Sequence, residues 1–347
     1  MFAAPRQEVT SLPLNPSVRN KLLCAGFRTT GDLEGIGPVD LATEAQLSHE
    51  EALLVLKLAL PTRTQAGLEG ALSAKQILER EKGARRVITF CSDLDLILGG
   101  GVATGQVTEF CGVPGVGKTQ LGMQLAVDVQ IPQAFGGVEG EAIYIDSEGS
   151  FMVERCLQMV DACLAHLQRV ADSKGDPQRR EAAAALSREA MLGRIHYFRV
   201  RDHVEQLAAV ELLPSFLQQH PRVRLVVIDS VTFHFRQDFA DMAARTRQLA
   251  QMAQALMQLA GRREVAVVLM NQVTTKVVAG GEHSRLVPAL GDSWAHAATS
   301  RVILYWDQQV RKAFIYKSPT QPAAAAEYFV TAEGVRGKRA AKRPRPG

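Results

Sequence analysis

The chain has 347 residues, of which 46% are hydrophobic and 22% charged, which is typical of globular proteins with a sizeable core. No apolar run approaches the roughly 20 residues of a membrane helix, and the first residues lack the apolar centre of a signal peptide. We therefore expect no membrane association, and the length suggests about two domains.

The distribution of charge limits how the protein can bind nucleic acid, and the cysteine content indicates its redox environment. The net charge of +4 is unevenly distributed, because residues 336–347 hold six basic residues and no acidic one, which leaves the remaining chain at −2. The body is therefore not a globally basic nucleic-acid binder, and any DNA contact must come from local patches.

The odd number of cysteines and the absence of C-x-x-C spacing predict small core residues in a reducing compartment. They are Cys24, Cys91, Cys111, Cys156 and Cys163.

Residues 1–60 read as a small helical N-terminal domain. Asn15 caps a helix that stops at Gly26, and Ser48 begins a capping box on a later helix. A glycine turn at residues 35–38 lies between them. The arrangement resembles a helix-hairpin-helix module, whose turn amides bind DNA phosphate. A small protein-docking domain is an equally good interpretation.

Residues 61–86 read as a linker that includes a short polar helix, and residues 87–333 as the core. In the core, strands and helices alternate from Val87 onward, which predicts an α/β fold with a mainly parallel sheet covered on both faces. The alanine-rich residues 178–191 predict a single surface helix. We place the end of the core at residue 333 and a disordered basic tail at residues 334–347.

The most informative stretch is GVPGVGKT at residues 112–119, which fits G-x-x-x-x-G-K-[ST], the phosphate-binding loop of nucleoside triphosphatases. Lys118 places a cation at the β- and γ-phosphates, and Thr119 places a hydroxyl for Mg²⁺. A strand over residues 105–111 precedes the loop, and a helix over residues 118–130 follows with one buried face. The residues expected to contact the nucleotide are Gly112, Val113, Pro114, Gly115, Val116, Gly117, Lys118, Thr119 and Gln120.

Polar side chains end the next three buried strands. Glu148 follows the strand at residues 141–146, where a carboxylate polarises the attacking water. Asp229 ends the strand at residues 222–230 and holds Mg²⁺; a helix-capping aspartate is the alternative. Asn271 and Gln272 end a further strand at the edge where α/β sheets bind ligands. Their amides can sense a γ-phosphate there, and an ordinary polar strand end is an equally good interpretation.

The order of these elements resembles the RecA-like recombinases from about Val87 to Val330. The strings LGGGVATGQVTEFCGVPGVGKT, YIDSEGSF, LVVIDS, NQVTTK and AHAATSRVIL carry the resemblance. Among the eukaryotic strand-exchange recombinases and their paralogues, VITFCSDLD, ALGDSWAHAAT and YKSP are similar to the C group of paralogues. The resemblance implies a RecA-like P-loop ATPase core that binds ATP and Mg²⁺.

The resemblance also implies roles for individual residues. Lys118, Glu148 and Gln272 become the catalytic set, with Glu148 as the general base. Thr119 and Asp229 lie on the Mg²⁺ side. Arg155 takes the position that packs against the adenine. Two loops would contact DNA, the first through Arg236 and the second, residues 274–288, through Lys276, His283 and Arg285.

Three departures from the family's pattern argue against autonomous strand exchange. The second DNA loop has no aromatic residue for stacking on bases. The Phe-x-x-Ala string that joins neighbours into homofilaments is missing, and residues 68–71 are a poor substitute. Lys317 stands where recombinases carry an aspartate over the neighbour's ATP. A heteromeric complex with other recombinase paralogues therefore fits better than a homofilament.

We expect a nuclear, DNA-dependent ATPase subunit that assembles or stabilises recombinase on single-stranded DNA during double-strand-break repair. Single-stranded and branched DNA and the strand-exchange recombinase itself are further expected partners. Two basic clusters in the tail read as a nuclear-import signal, with a nonspecific DNA-binding tail as the alternative and a cytoplasmic pool left open. They comprise Lys338, Arg339, Lys342, Arg343 and Arg345.

Other function classes stay open. An ATP-binding scaffold with incidental turnover and a strand-exchange recombinase in its own right both retain the same core. A hexameric helicase also shares it, but the small N-terminal domain argues against that class.

Overall fold

The computed structural model describes residues 7–33, 36–59, 73–236, 239, 242–277, 284–291, 294 and 296–338. The chain divides into two compact units, residues 1–83 and residues 84–347. Within the described ranges, no helix is both long enough and apolar enough to cross a membrane.

The first unit is helical. Its helices are α1 (Pro16–Cys24), α2 (Pro38–Glu44), α3 (His49–Ala59) and α4 (Ala74–Gly83). Helices α1 to α3 contribute to an apolar core of fully buried side chains, among them Leu22, Leu33, Leu41 and Val55, and α4 contributes no residue to it.

The predicted helix caps of the first unit are present. The Asn15 side chain accepts a hydrogen bond from the backbone N–H of Ser17 at 3.1 Å. Ser48 and Glu51 exchange reciprocal bonds of 2.8 and 3.1 Å, which is the predicted capping box. Gly35 of the predicted glycine turn lies outside the described residues, and α2 begins directly after Gly37.

A nine-stranded sheet forms the centre of the second unit. The strands of this unit are β1 (Arg86–Val87), β2 (Val102–Ala103), β3 (Val107–Gly112), β4 (Glu141–Asp146), β5 (Ile195–Arg199), β6 (Val223–Asp229), β7 (Ala266–Asn271), β8 (Val273–Val277), β9 (Ser284–Pro288), β10 (Ser300–Asp307), β11 (Val310–Lys317), β12 (Ala325–Thr331) and β13 (Gly334–Arg336). The sheet order is β13-β12-β11-β10-β3-β7-β6-β4-β5, while β1–β2 and β8–β9 form separate pairs.

The large sheet is mainly parallel, as predicted. All pairs from β10 through β3, β7, β6 and β4 to β5 are parallel, and β10–β13 form an antiparallel meander. Every residue of β3, β4 and β7 is buried. Parallel strands need cover on both faces, and two separate apolar clusters provide it.

Helices connect and cover these strands. They are α5 (Ser92–Ile97), α6 (Lys118–Asp128), α7 (Val153–Lys174), α8 (Pro177–Ala184), α9 (Arg188–Leu192), α10 (His203–Gln219) and α11 (Met242–Arg263). The structure changes two predicted helices. Helix α6 is buried at every residue from Leu121 to Asp128 instead of on one face. The single helix predicted over residues 178–191 is two helices, because the Ser187 side chain caps α9 through the Ala190 N–H at 3.1 Å.

The boundary predicted at residue 333 is wrong, because the sheet continues past it. Strand β13 pairs with β12, and the backbone N–H of Val335 donates to Gln124 Oε1 at 3.0 Å. Arg336, counted with the tail from its charge, lies with its guanidinium 4.8 Å from the centre of the Phe90 ring. The apolar residue Val335 indicates a strand at this point of the sequence, but the basic residues that follow it suggested a disordered tail.

The prediction of core cysteines holds for four of the five. Cys91, Cys111, Cys156 and Cys163 are free and buried, whereas Cys24 is free and exposed. Cys24 lies at the end of α1, where the helix turns its outer face to solvent. It is therefore not a core residue of the first unit.

Candidate functional site

The predicted site residues come together at one edge of the sheet because of strand register. Asp146 is opposite Asp229, Asp229 is opposite Met270, and Asn271 is opposite Cys111. All four strands, β4, β6, β7 and β3, run in parallel and end in this row. Ligands bind at such carboxyl edges in open α/β sheets.

The phosphate loop, residues 112–119, joins β3 to α6 at this edge. Gly117 precedes the helix with φ of +106°, a left-handed conformation that disfavours side chains. A Cβ at Gly112 would lie 2.8 Å from the carbonyl oxygen of Leu304. The loop therefore has the close approaches for which its glycines were predicted.

Lys118 folds back over the loop. Its Nζ donates to the carbonyl oxygens of Gly112 at 2.9 Å and Val113 at 3.1 Å. Burial lowers the pKa of Lys118, and the negative charges of Asp229 and Glu148 oppose that shift. A cation inside a loop of backbone amides at a helix N-terminus is a favourable setting for phosphate groups.

Asp229 lies deep at the end of β6, only 1% exposed. Its Oδ2 accepts from the Tyr144 hydroxyl at 2.8 Å. Burial raises the pKa of Asp229 to about 6, although hydrogen bonds from Thr119 and Tyr144 favour the carboxylate. The Thr119 hydroxyl also lies 3.5 Å from Ser150 Oγ. The carboxylate and the two hydroxyls are hard oxygen donors of the kind Mg²⁺ prefers.

Glu148 is held at its backbone by Asp146, a residue that the sequence analysis missed. Asp146 Oδ1 accepts from the N–H groups of Glu148 at 3.0 Å and Gly149 at 2.7 Å, and its Oδ2 accepts from Phe151 at 3.1 Å. An aspartate that bonds the amides two and three residues later is a recognisable turn signal. Asp146 thus fixes the turn that presents Glu148.

The Glu148 side chain belongs to a chain of polar contacts. Its Oε1 accepts from Ser230 Oγ at 2.7 Å and from Gln272 Nε2 at 3.4 Å. Gln272 Oε1 in turn accepts from the guanidinium of Arg236. Arg236 was assigned to the first DNA loop, and the structure places it against Gln272; the DNA contact of Arg236 and the γ-phosphate-sensing role of Gln272 stay predictions.

Arg155 ties three elements together beside the phosphate loop. Its guanidinium donates to Gln120 on α6 at 2.6 Å and to the carbonyl oxygens of Thr331 at 2.5 Å and Ala332 at 2.6 Å. Gln120 was assigned to the nucleotide site as well. The adenine-packing role of Arg155 stays a prediction.

The remaining assigned residues belong to the second DNA loop, the linker and the basic tail. Lys276 and Arg285 are backbone partners in the antiparallel β8–β9 pair, and His283 lies outside the described residues. Lys338 forms a 3.8 Å ion pair with Glu327. Of the import signal, Arg339, Lys342, Arg343 and Arg345 lie outside the described residues, as do residues 68–71 of the linker.

A buried ionic network behind the site was not predicted. Glu109 on β3 is completely buried and accepts from Asn271 Nδ2 at 2.6 Å, from Trp294 Nε1 at 2.7 Å and from the Arg301 guanidinium. Arg301 is only 4% exposed. Because Asn271 immediately precedes Gln272, this network supports the strand end that carries Gln272.

Comparison with known proteins identifies the family. The sequence profile of the Rad51 family matches residues 80–173 and 178–338, well over half of the chain. The chain belongs to the Rad51 family. It is 46% identical over 339 residues to "DNA repair protein RAD51 homolog 3" of Cricetulus griseus, across 95% of this chain and 92% of that protein. It is 41% identical over 260 residues to the Dictyostelium discoideum protein of the same name, across 75% and 68% of the two chains.

The Rad51 family match confirms the RecA-like α/β fold and the resemblance to the C group of recombinase paralogues. The geometry described above belongs to the matched segments. The family and the phosphate loop together fit ATP with Mg²⁺, because Lys118, Thr119 and Asp229 supply the cation and the oxygen donors.

Proposed function

We propose that the chain is a nuclear, DNA-dependent ATPase subunit of a recombinase-paralogue complex in homologous recombination repair. The complex assembles or stabilises recombinase on single-stranded DNA. The observation that carries the proposal is the contact chain from Ser230 through Glu148 and Gln272 to Arg236. It joins the hydrolytic carboxylate to the start of the first DNA loop.

In this proposal the chain's own residues divide the work. The loop amides and Lys118 bind and orient the phosphates, and Glu148 orients the attacking water and accepts its proton. Bound Mg²⁺ neutralises phosphate charge, held through Thr119 and Asp229. Gln272 reports the γ-phosphate to Arg236, so that DNA bound at the loop changes how Glu148 is held.

The names of the two relatives support a role in DNA repair. Both relatives are named DNA repair proteins and homologues of RAD51, and the Rad51 family match covers the ATPase core. The missing Phe-x-x-Ala string favours other paralogues as neighbours rather than copies of this chain. Five basic residues within residues 338–347 support nuclear import.

The proposal is tested on the native heteromeric complex. Fluorescent recombinase is assembled on single-stranded DNA with complex containing either the wild-type chain or Lys118→Ala. We expect the wild-type complex to lengthen recombinase residence in the presence of ATP and the variant to lose most of that effect. Equal residence times with both complexes would refute an ATP-dependent role in assembly.

A further inference from the structure

A second polar cluster lies at the opposite end of the strands from the nucleotide site. Glu141 begins β4, His196 is on β5, and His220 directly follows α10. One ligand atom from each of the three lies within 4.8 Å of the others. The five-residue step from Glu141 to Asp146 corresponds to about 17 Å along a strand, so this cluster is separate from the phosphate site.

The fold positions these side chains well. Ile143 is opposite His196 in the parallel pairing, and Glu141 shares the face of Ile143 because side chains alternate along a strand. Glu141 Oε2 lies 2.9 Å from His196 Nε2. Phe216 stacks on the His220 ring at 4.2 Å and meets the His196 ring edge-on at 5.2 Å, which restricts both imidazoles.

We propose that Glu141, His196 and His220 form a binding site for a divalent transition metal ion, best matched by Zn²⁺. Two imidazole nitrogens and one carboxylate oxygen are a known protein ligand set for zinc that leaves a fourth position open. Mg²⁺ is disfavoured here, because it prefers oxygen donors and retains its water.

The observed spacing suits such an ion. Ligand bonds of about 2.0–2.2 Å place the donor atoms of a tetrahedral zinc site about 3.3 Å apart. The three donor atoms, which already lie within 4.8 Å of one another, need only small side-chain rotations to reach that separation. The ion takes the place of the hydrogen bond between His196 and Glu141.

The contact between Arg222 and Glu141 allows a metal site to be distinguished from an ion-pair network. Its Nη2 lies 2.6 Å from Glu141 Oε1, and its side chain is 67% exposed. The arginine therefore uses one carboxylate oxygen and leaves Oε2 to the histidines. Its positive charge opposes a second cation, so its removal strengthens metal binding. The alternative is that Arg222, Glu141 and His196 form an ordinary ion-pair network that binds no metal ion.

The experiment titrates chelator-treated full-length protein with Zn²⁺, and with Mg²⁺ in parallel, by calorimetry. We expect one Zn²⁺ bound per chain at this site, at least tenfold weaker binding in His220→Asn, and tighter binding in Arg222→Gln. His296→Asn is the matched control, since His296 is an exposed histidine outside the cluster, and it should keep the wild-type affinity.

Opposite signs for the two cluster variants separate a metal site from an ion network. Unchanged Zn²⁺ affinity in both His220→Asn and Arg222→Gln would overturn the proposal, and so would the absence of binding by wild type. Co²⁺ absorption provides the second readout. Nitrogen and oxygen ligation gives no thiolate charge-transfer band, whereas such a band would place the ion at a cysteine and also overturn the proposal. Should His220→Asn fail to fold, Arg222→Gln alone decides, because it changes an exposed side chain.

Discussion

Replacing Glu109 with glutamine should destabilise the second unit strongly. The Glu109 carboxylate is completely buried and receives hydrogen bonds from Asn271, Trp294 and Arg301. An amide keeps the shape but loses the charge, and its NH₂ group faces donors instead of acceptors. Arg301, 4% exposed, is left without its counter-charge.

The expected cost follows from burial. Removing one partner of a buried ion pair costs about 3–5 kcal/mol, because the other charge stays desolvated. An exposed pair offers the contrast. Asp161 and Arg188 lie 2.5 Å apart with side chains 39% and 58% exposed, and such pairs contribute about 1 kcal/mol or less. Asp161→Asn is therefore the matched control.

Tryptophan fluorescence during denaturation by urea measures this difference selectively. The only tryptophans of the chain are Trp294 and Trp306, and both belong to the second unit. We expect Glu109→Gln to lower the free energy of unfolding by several kcal/mol and Asp161→Asn to change it little. Equal, small losses in both variants would refute the argument from burial.

Five further predictions concern the nucleotide site, Lys317 and the tail. Lys118→Ala should abolish ATP binding in calorimetry, whereas Glu148→Gln should bind ATP normally and hydrolyse it about 10²-fold more slowly; wild-type binding by the first or wild-type turnover by the second would contradict the assignments. The pKa of Asp229, raised by burial to about 6, predicts that Mg²⁺–ATP affinity falls as pH drops from about 7.5 to 5.5. The terminal phosphate of ATP is protonated over the same range, so calorimetry should show a smaller fall for Asp229→Asn than for wild type, and equal falls would contradict the assignment. Lys317→Ala should leave ATP binding by this chain unchanged and weaken ATP-dependent association with a partner subunit. If the variant associates with the partner as tightly as wild type does, both with ATP and with ADP, then Lys317 is an ordinary surface residue. Deleting residues 339–347 should reduce nuclear localisation while ATP hydrolysis persists, and an unchanged distribution in cells lacking the partners would count against an import signal.

The Lys317 prediction needs its own control, because that side chain already has a partner. Its Nζ donates to the Ala298 carbonyl oxygen at 2.7 Å. Lys317→Arg keeps the charge and should retain partner association. Loss of association in both variants together with lower stability would indicate a local structural role.

Short-range signals explain what the sequence predicted well. The phosphate loop is contiguous from Gly112 to Thr119, and polar residues follow apolar strands at Glu148 and Asp229. Because parallel strands end at the same edge of a sheet, the sequence pattern was enough to predict that these residues lie close together. Helix caps such as Ser48 with Glu51 are equally local.

Contacts between distant residues explain what was missed. Glu109 and Arg301 are separated by 192 positions, and both lie in strands whose apolar neighbours dominate the pattern. We assigned Arg336 to the disordered tail because its neighbours in the sequence are basic, although its backbone belongs to β13. Arg236 was assigned to DNA from its loop, and its contact with Gln272 depends on how β6 and β7 lie side by side.

Single-turnover ATP hydrolysis by the native complex, with and without single-stranded DNA, tests the central claim most directly. We expect DNA to accelerate the hydrolytic step in complex containing the wild-type chain and to leave the Glu148→Gln complex slow. The partner subunits are identical in both preparations, so the difference belongs to this chain. If the two complexes hydrolyse ATP at the same rate with DNA present, the chain binds ATP as a scaffold and the proposed DNA-dependent ATPase is wrong.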